Sequence, residues 1–293
     1  MIQKKETWAS ISGGKDSTYM LKWIVDNKTP CTGFMSALIR KHEEPDMVEH
    51  IYRLKSYAES KGYPFIIVEN KNDIEPFMAE VITQKNSPQY GKPRGFPLKF
   101  SPCWISRDWK LKLLDRFAKQ REVITGKPIK KMIGYAFDEP SSKRQKRIKD
   151  YIVGNFEENI RYPLVDMELK ESDCLHRIKE CGLYCQTHLD YPRSGCWFCP
   201  KSSIESRLKA ISKDPINRLN QIRLWTKLSG REIYCDITLK EIEAHVSKKF
   251  GEINPKGAYN TDFMVTFPSV TPPKSKRSFD FAKTNIKRNT YTK

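Results

Sequence analysis

The feature that most constrains this chain is a six-residue loop, Ser12-Gly13-Gly14-Lys15-Asp16-Ser17, set between a short β-prone run (residues 6–11) and a stretch with Met20, Trp23 and Ile24 at helical spacing. That arrangement reads strand, glycine turn, helix, and the same alternation continues downstream. Residues 31–40 make a second strand, and Pro45 opens a helix with Met47, Ile51, Leu54 and Ala58 on one face. Residues 65–69 make a third strand. Strands joined by helix-length crossovers pair in parallel, because a tight hairpin can only join antiparallel neighbours. The expected fold is therefore α/β, a doubly wound, mainly parallel sheet with the glycine turn at its carboxyl edge. Ile105, Trp109, Leu113 and Phe117 mark a further helix, and residues 131–137 a buried strand running up to Asp138 and Glu139. The Pro-, Gly- and Lys/Arg-rich segment 84–102 reads as a mobile loop over the sheet edge.

Each residue type in the loop suits a pyrophosphate group. Gly13 and Gly14, without Cβ atoms, let amide N–H groups approach phosphate oxygens, and Ser17 starts a helix whose positive end faces the anion. Lys15 adds charge, and Ser12 and Ser17 add hydroxyl donors. Asp16 repels phosphate unless a cation intervenes, which suits it to Mg²⁺ or to the helix start. The spacing is not that of a Walker loop, which needs four residues between its first glycine and Gly-Lys-Ser/Thr. Asp138 and Glu139, at the end of a strand on the same edge, suit either organisation of Mg²⁺ and acceptor or a helix-capping role.

Cys196 and Cys199, in Gly-Cys-Trp-Phe-Cys-Pro, form a thiolate pair able to grip one metal or one edge of a cluster, half of a four-ligand site. Cys31, Cys174 and Cys235 are isolated and read as packing residues. The five histidines show no metal-ligand spacing and receive no role.

The string SGGKDS after a strand resembles the signature of the PP-loop family, the ATP pyrophosphatases and their relatives that use adenylyl sulfates. The resemblance spans roughly residues 6–228. It is strongest to the PAPS-reductase-like branch, through SPCWISRDWK (101–110), IGYAFDE (133–139), RYPLVDMELKESD (161–173) and RSGCWFCP (193–200). It implies a five- or six-stranded sheet, ATP with Mg²⁺ in the loop, and adenine held by main-chain groups near Met35, Ser36 and Ala37. It also implies catalytic roles for Lys15, Asp16, Asp138 and Glu139. The family often places Arg three residues after the Glu, whereas this chain has Ser142 there, followed by Lys143 and Arg144. Cys103 is similar to the first cluster-ligand region of iron–sulfur adenylyl-sulfate reductases and DndC-type DNA phosphorothioation proteins, although those reductases carry two adjacent cysteines where this chain has Pro102, Cys103 and Trp104. With Cys103, Cys196 and Cys199 as three ligands, Cys185 is the expected fourth, with Cys181 behind it. A [4Fe–4S] cluster, Zn²⁺ and free thiols all remain open for this set. Glu180-Cys181-Gly182-Leu183 is similar to the catalytic string of thioredoxin-dependent PAPS reductases, but its place before GCWFCP reads as a helix end with Gly182 as the cap.

Lys and Arg outnumber Asp and Glu by 53 to 35, a net charge of +18, which favours a polyanionic partner such as DNA or tRNA. Arg207, Lys209, Lys213, Arg218, Arg223 and Lys227 form the expected basic helical face, with Leu219, Ile222 and Trp225 turned to the core. No membrane span or secretory leader is recognisable, so a cytoplasmic location is expected, and there the eight cysteines favour metal or thiol roles over disulfides. The expected organisation is a nucleotide-binding α/β domain (1–167), a helical region with the cysteine cluster and basic residues (168–272), and a flexible basic tail (273–293). The expected activity is adenylation of a nucleic acid or nucleotide-like acceptor, ATP giving AMP and pyrophosphate, with a sulfur donor as a further partner. The alternatives are an adenylyl-sulfate reductase and a non-enzymatic nucleotide-sensing nucleic-acid binder.

Overall fold

The first strand shows how the chain builds its layers: Trp8 and Ala9 alternate across it and enter different cores. The computed structural model describes residues 5–87, 89–140, 142–154, 159–192 and 195–251, with only the backbone of Arg40 and Ser142. Within them β1 (Thr7–Ser10), α1 (Lys15–Asp26), β2 (Gly33–Leu38), α2 (Pro45–Ser60) and β3 (Phe65–Glu69) follow in strict alternation. The short α3 (Ile74–Ala79) comes next. A helical path then runs through α4 (Trp104–Ser106), a π-helical turn (Arg107–Leu111) and α5 (Lys112–Thr125), before β4 (Lys130–Ile133), α6 (Ser142–Ile152) and β5 (Ile160–Arg161). The five strands are all parallel, in the order β3-β2-β1-β4-β5. This is the expected doubly wound α/β fold, and β1 is where the winding reverses. Ligands in such sheets bind in the crevice outside the carboxyl ends of the strands at that reversal.

β2 is buried along its whole length, as a strand covered on both faces must be. On one face Met20, Leu21 and Ile24 of α1 and Ile51 and Leu54 of α2 pack on Ala9, Phe34 and Phe65. On the other, Trp8 meets Phe117 of α5 edge to face, ring centroids 4.8 Å apart. The remaining helices are α7 (Pro163–Asp166), α8 (Glu171–Glu180), α9 (Gln186–Asp190), α10 (Ile204–Ile211), α11 (Pro215–Ser229) and α12 (Leu239–Phe250). α8 ends as expected, with Gly182 left-handed at φ +69° just past the cap. An aromatic core forms around Trp225, which lies against Phe198 (4.7 Å), Phe96 (5.3 Å) and Trp197 (5.6 Å). No helix among the described residues is long and apolar enough to cross a membrane.

Three expectations change. The strand expected over 131–137 stops at Ile133, because a Cβ on Gly134 would lie 3.0 Å from Ser17 Cα, and the chain crosses the start of α1 there before leaving the sheet. The segment 84–102 is not simply a mobile loop. Its second half is pinned, with Phe96 buried, Phe96 N–H donating to Ser229 Oγ (2.9 Å) and Trp104 Nε1 donating to Gly95 O (3.2 Å). The basic face on α10 and α11 is largely consumed by ion pairs. Arg207 is buried against Asp236, Arg218 clasps the buried Glu44 at 2.9 and 3.0 Å, Lys209 and Lys213 share Asp190, and Arg223 pairs with Glu243. Leu219, Ile222 and Trp225 do line the core. The expected tail, residues 273–293, lies outside the described residues.

Candidate active site

Gly13 follows β1 in a left-handed conformation, φ +78°, and a Cβ there would come within 2.6 Å of Met47 Sδ and 2.8 Å of Ile51 Cδ1. Only glycine fits both the torsion and the space. Gly14 caps α1, and Ser17 closes the loop on itself: its Oγ donates to Gly14 O (3.0 Å) and accepts from Ser12 N–H (3.2 Å), with Ser12 Oγ 3.1 Å away. The loop is therefore preformed, with the first turn of α1 behind it.

Four carboxylates gather beside the loop. Lys15 Nζ reaches Glu171 Oε1 at 2.5 Å, and Asp138 Oδ1 accepts the Glu171 N–H (2.7 Å), so Asp138 caps the start of α8. Glu139 is buried and pairs with Arg144 at 3.0 Å, so the guanidinium absent three residues after the Glu arrives from five. Asp16 Oδ1 is buried with no hydrogen-bond partner. Burial first, then the charge of Glu171, with Glu139 and Asp138 adding to it, raises the Asp16 carboxyl to about 7 against the opposing pull of Lys15. A bare carboxylate oxygen buried among like charges is a site that suits a cation.

Met35, Ser36 and Ala37 lie in β2 at this edge. Met35 O accepts from Ile11 N–H (2.8 Å), so Met35 turns its main chain toward β1, and by the two-residue alternation of a strand Ala37 does likewise. β1 has already turned away at Ser12, which leaves the Ala37 peptide groups facing the crevice. Ser36 Oγ is buried without a partner.

Cys103, at the cap of α4, and Cys196 and Cys199 lie close enough for their thiols to bear on one another's ionisation. The chain brings them together by pairing Cys196 with Glu43, just past β2, while Cys199 N–H closes a turn on Cys196 O (3.1 Å). Lys110 reaches in from the π-helical turn and pairs with Glu43. Burial alone would lower the Lys110 ammonium, but Glu43, Cys196 and Cys103 hold it above the usual lysine value. Burial pushes the Cys196 thiol up to about 12, with Lys110 opposing. The three sulfurs share one neighbourhood beside a cation, but among the described residues they do not reach the 4.8 Å mutual spacing found for the ligand atoms of His50, Cys185 and His188. A metal or cluster there would supply the charge needed to hold them as thiolates.

Cys185 belongs to a different group. Its sulfur and one ring nitrogen each of His50 and His188 lie within 4.8 Å of one another, all three residues buried. His188 Nε2 lies 2.6 Å from Gly13 O, and His50 Nε2 lies 3.1 Å from Thr18 Oγ1. Burial lowers both imidazoles, His50 to about 3 with His188 and Arg53 adding to the effect, and raises the Cys185 thiol to about 11. These histidines, given no role from spacing, stand directly behind the Ser12–Ser17 loop. Glu171 also went unassigned, although the position of Lys170-Glu171 ahead of an amphipathic helix was a usable signal for an acid at a helix start.

Compared with known proteins, the chain matches no family model and no curated protein. Among solved structures it is similar to the U34-tRNA thiolase NcsA from Methanococcus maripaludis with its [4Fe-4S] cluster, at 16% identity and a TM-score of 0.38, covering 86% of this chain and 83% of that one. A likeness this distant leaves the chemistry to be read from the residues themselves.

Proposed function

We propose that the chain is a PP-loop ATP pyrophosphatase that adenylates an oxygen of a nucleic acid or nucleotide-like acceptor. The acceptor oxygen attacks the α-phosphorus, the bond from that phosphorus to the α,β-bridging oxygen breaks, and the electron pair leaves with pyrophosphate. Any proton on the acceptor passes to solvent. Loop amides from Gly13 to Ser17 and Lys15 would take up the charge that builds on the departing pyrophosphate, where preorganised donors contribute most. Adenine would meet the free peptide groups of Ala37. The observation that carries this reading is the buried, unpartnered Asp16 oxygen beside a preformed phosphate loop, with Glu171, Glu139 and Asp138 around it. Asp16, with these neighbours, would hold Mg²⁺, which supplies charge neutralisation for the triphosphate.

Cys103, Cys196 and Cys199 would hold a [4Fe–4S] cluster, which supplies a site for sulfur handling, and Cys185 serves the loop instead of completing this set. The surface for a polyanionic acceptor moves to α6, where Lys143, Lys146 and Lys149 are exposed at three-residue spacing. Arg144 of that helix already touches Glu139 of the site.

The test is product analysis with full-length protein, Mg²⁺, ATP and unmodified tRNA or DNA. Acceptor-dependent AMP and pyrophosphate are expected, and steady ADP would contradict the reading. The same protein prepared without oxygen should carry iron and labile sulfide that Cys196→Ser removes. Zinc in their place would make the cysteine site structural.

A further inference from the structure

The His50, Cys185 and His188 group invites assignment as a metal site, but its hydrogen bonds point elsewhere. Arg53 can only donate, and its NH2 lies 3.2 Å from His50 Nδ1, so that nitrogen accepts and the ring proton sits on Nε2. His50 Nε2–H then donates to Thr18 Oγ1 (3.1 Å), and Thr18 Oγ1 donates in turn to Gly13 O (3.4 Å). In the second ring, His188 Nδ1 accepts from Cys185 N–H (3.3 Å), which leaves the proton on Nε2, donated to Gly13 O at 2.6 Å. All four ring nitrogens are thus occupied, and two chains of donors end on one carbonyl. The rings themselves meet edge to face, centroids 5.0 Å apart.

We propose that His50 and His188 are positioning residues for phosphate binding, a pair of neutral struts that hold the Gly13 carbonyl inward so that the Gly14 N–H faces the nucleotide. In a planar trans peptide the Gly13 C=O and the Gly14 N–H point in opposite directions, so fixing the first fixes the second. Gly14 N–H does lie on the open side, with only a long 3.4 Å contact to Ser12 Oγ to give up. Glycine at both positions makes this peptide free to flip, and the struts remove that freedom before the ligand arrives. The struts are rooted in α2. Thr187, next to His188, donates through N–H and Oγ1 to Asp46 at 2.7 Å, and Arg53 NH2 donates to Tyr184 O at 2.6 Å.

The inference rests on the reading of residues 12–17 as a triphosphate site, and its test separates the two. In full-length protein, affinities for a nonhydrolysable ATP analogue and for AMP are compared by calorimetry across His188→Leu, His188→Gln and His50→Leu. Losing one such donor chain should weaken the analogue about tenfold, the scale of one hydrogen bond to an oriented group, while AMP changes less than about twofold. His188→Gln, which restores an N–H near the Nε2 position, should recover most of the loss. Equal losses for both ligands, or no recovery by Gln, would overturn the proposal. Nitrogen-15 spectra of the nucleotide-free wild type judge the struts even if no nucleotide binds, in which case the triphosphate reading fails by itself. Both rings should show protonated Nε2 and bare Nδ1 at neutral pH. Exchanging tautomers, or stoichiometric zinc that His188→Leu abolishes, would refute the strut assignment.

Discussion

Asp16 concentrates the cost of building this site. Its carboxyl titrates at about 7 in the folded chain, raised by burial and by Glu171, whereas an unfolded aspartate titrates near its ordinary value of about 4. Between those values the folded state binds a proton that the unfolded state does not, so the linkage relation gives stability that falls as pH rises from about 4 to about 7 and stays low above it. Asp16→Asn removes the titration. In thermal melts without Mg²⁺ the variant should gain more over wild type at pH 8 than at pH 5, and Mg²⁺ should narrow the gap at pH 8. Melting differences that ignore pH would show that Asp16 is not strained in this way. Sequence alone leaves Asp16 between cation binding and the helix start, whereas its buried, unpartnered oxygen and the charge of Glu171 at the start of α8 are set by the fold.

At the scale of elements, two helical stretches rich in Lys and Arg have opposite fates. α11 reads as a basic face, yet Arg218 is buried against Glu44, a partner 174 residues away that no local pattern reveals. α6 keeps Lys143, Lys146 and Lys149 exposed on the helix whose Arg144 pairs with Glu139. Charge reversal at these three lysines should weaken nucleic-acid binding and flatten its salt dependence, by a slope of about 0.9 per lost phosphate contact on duplex DNA. Arg218→Ala should leave that slope unchanged and cost about 3–5 kcal/mol of stability, because Glu44 is left buried and unpaired. Salt titrations of binding and urea unfolding separate the two effects. A slope that tracks Arg218 and ignores α6 would reverse the assignment.

For the whole molecule, what the sequence shows plainly is what local periodicity encodes. The alternation through β3 and the glycine turn were enough to place the Ser12–Ser17 loop at the carboxyl edge of a parallel sheet. Features set by distant packing were hidden. β4 ends early because Gly134 passes against α1, the 84–102 segment is held by Ser229, and Cys185 stands with two histidines that have no motif spacing. Of these, Gly134 and the two histidines pack directly against the residues around Gly13 to Ser17. The most direct test of the account is a crystal structure of the full chain with Mg²⁺ and α,β-methylene-ATP. The account predicts β- and γ-phosphates against the amides of Gly13 to Ser17, with adenine at Ala37. Adenosine bound elsewhere, or a loop closed to the triphosphate, would contradict it.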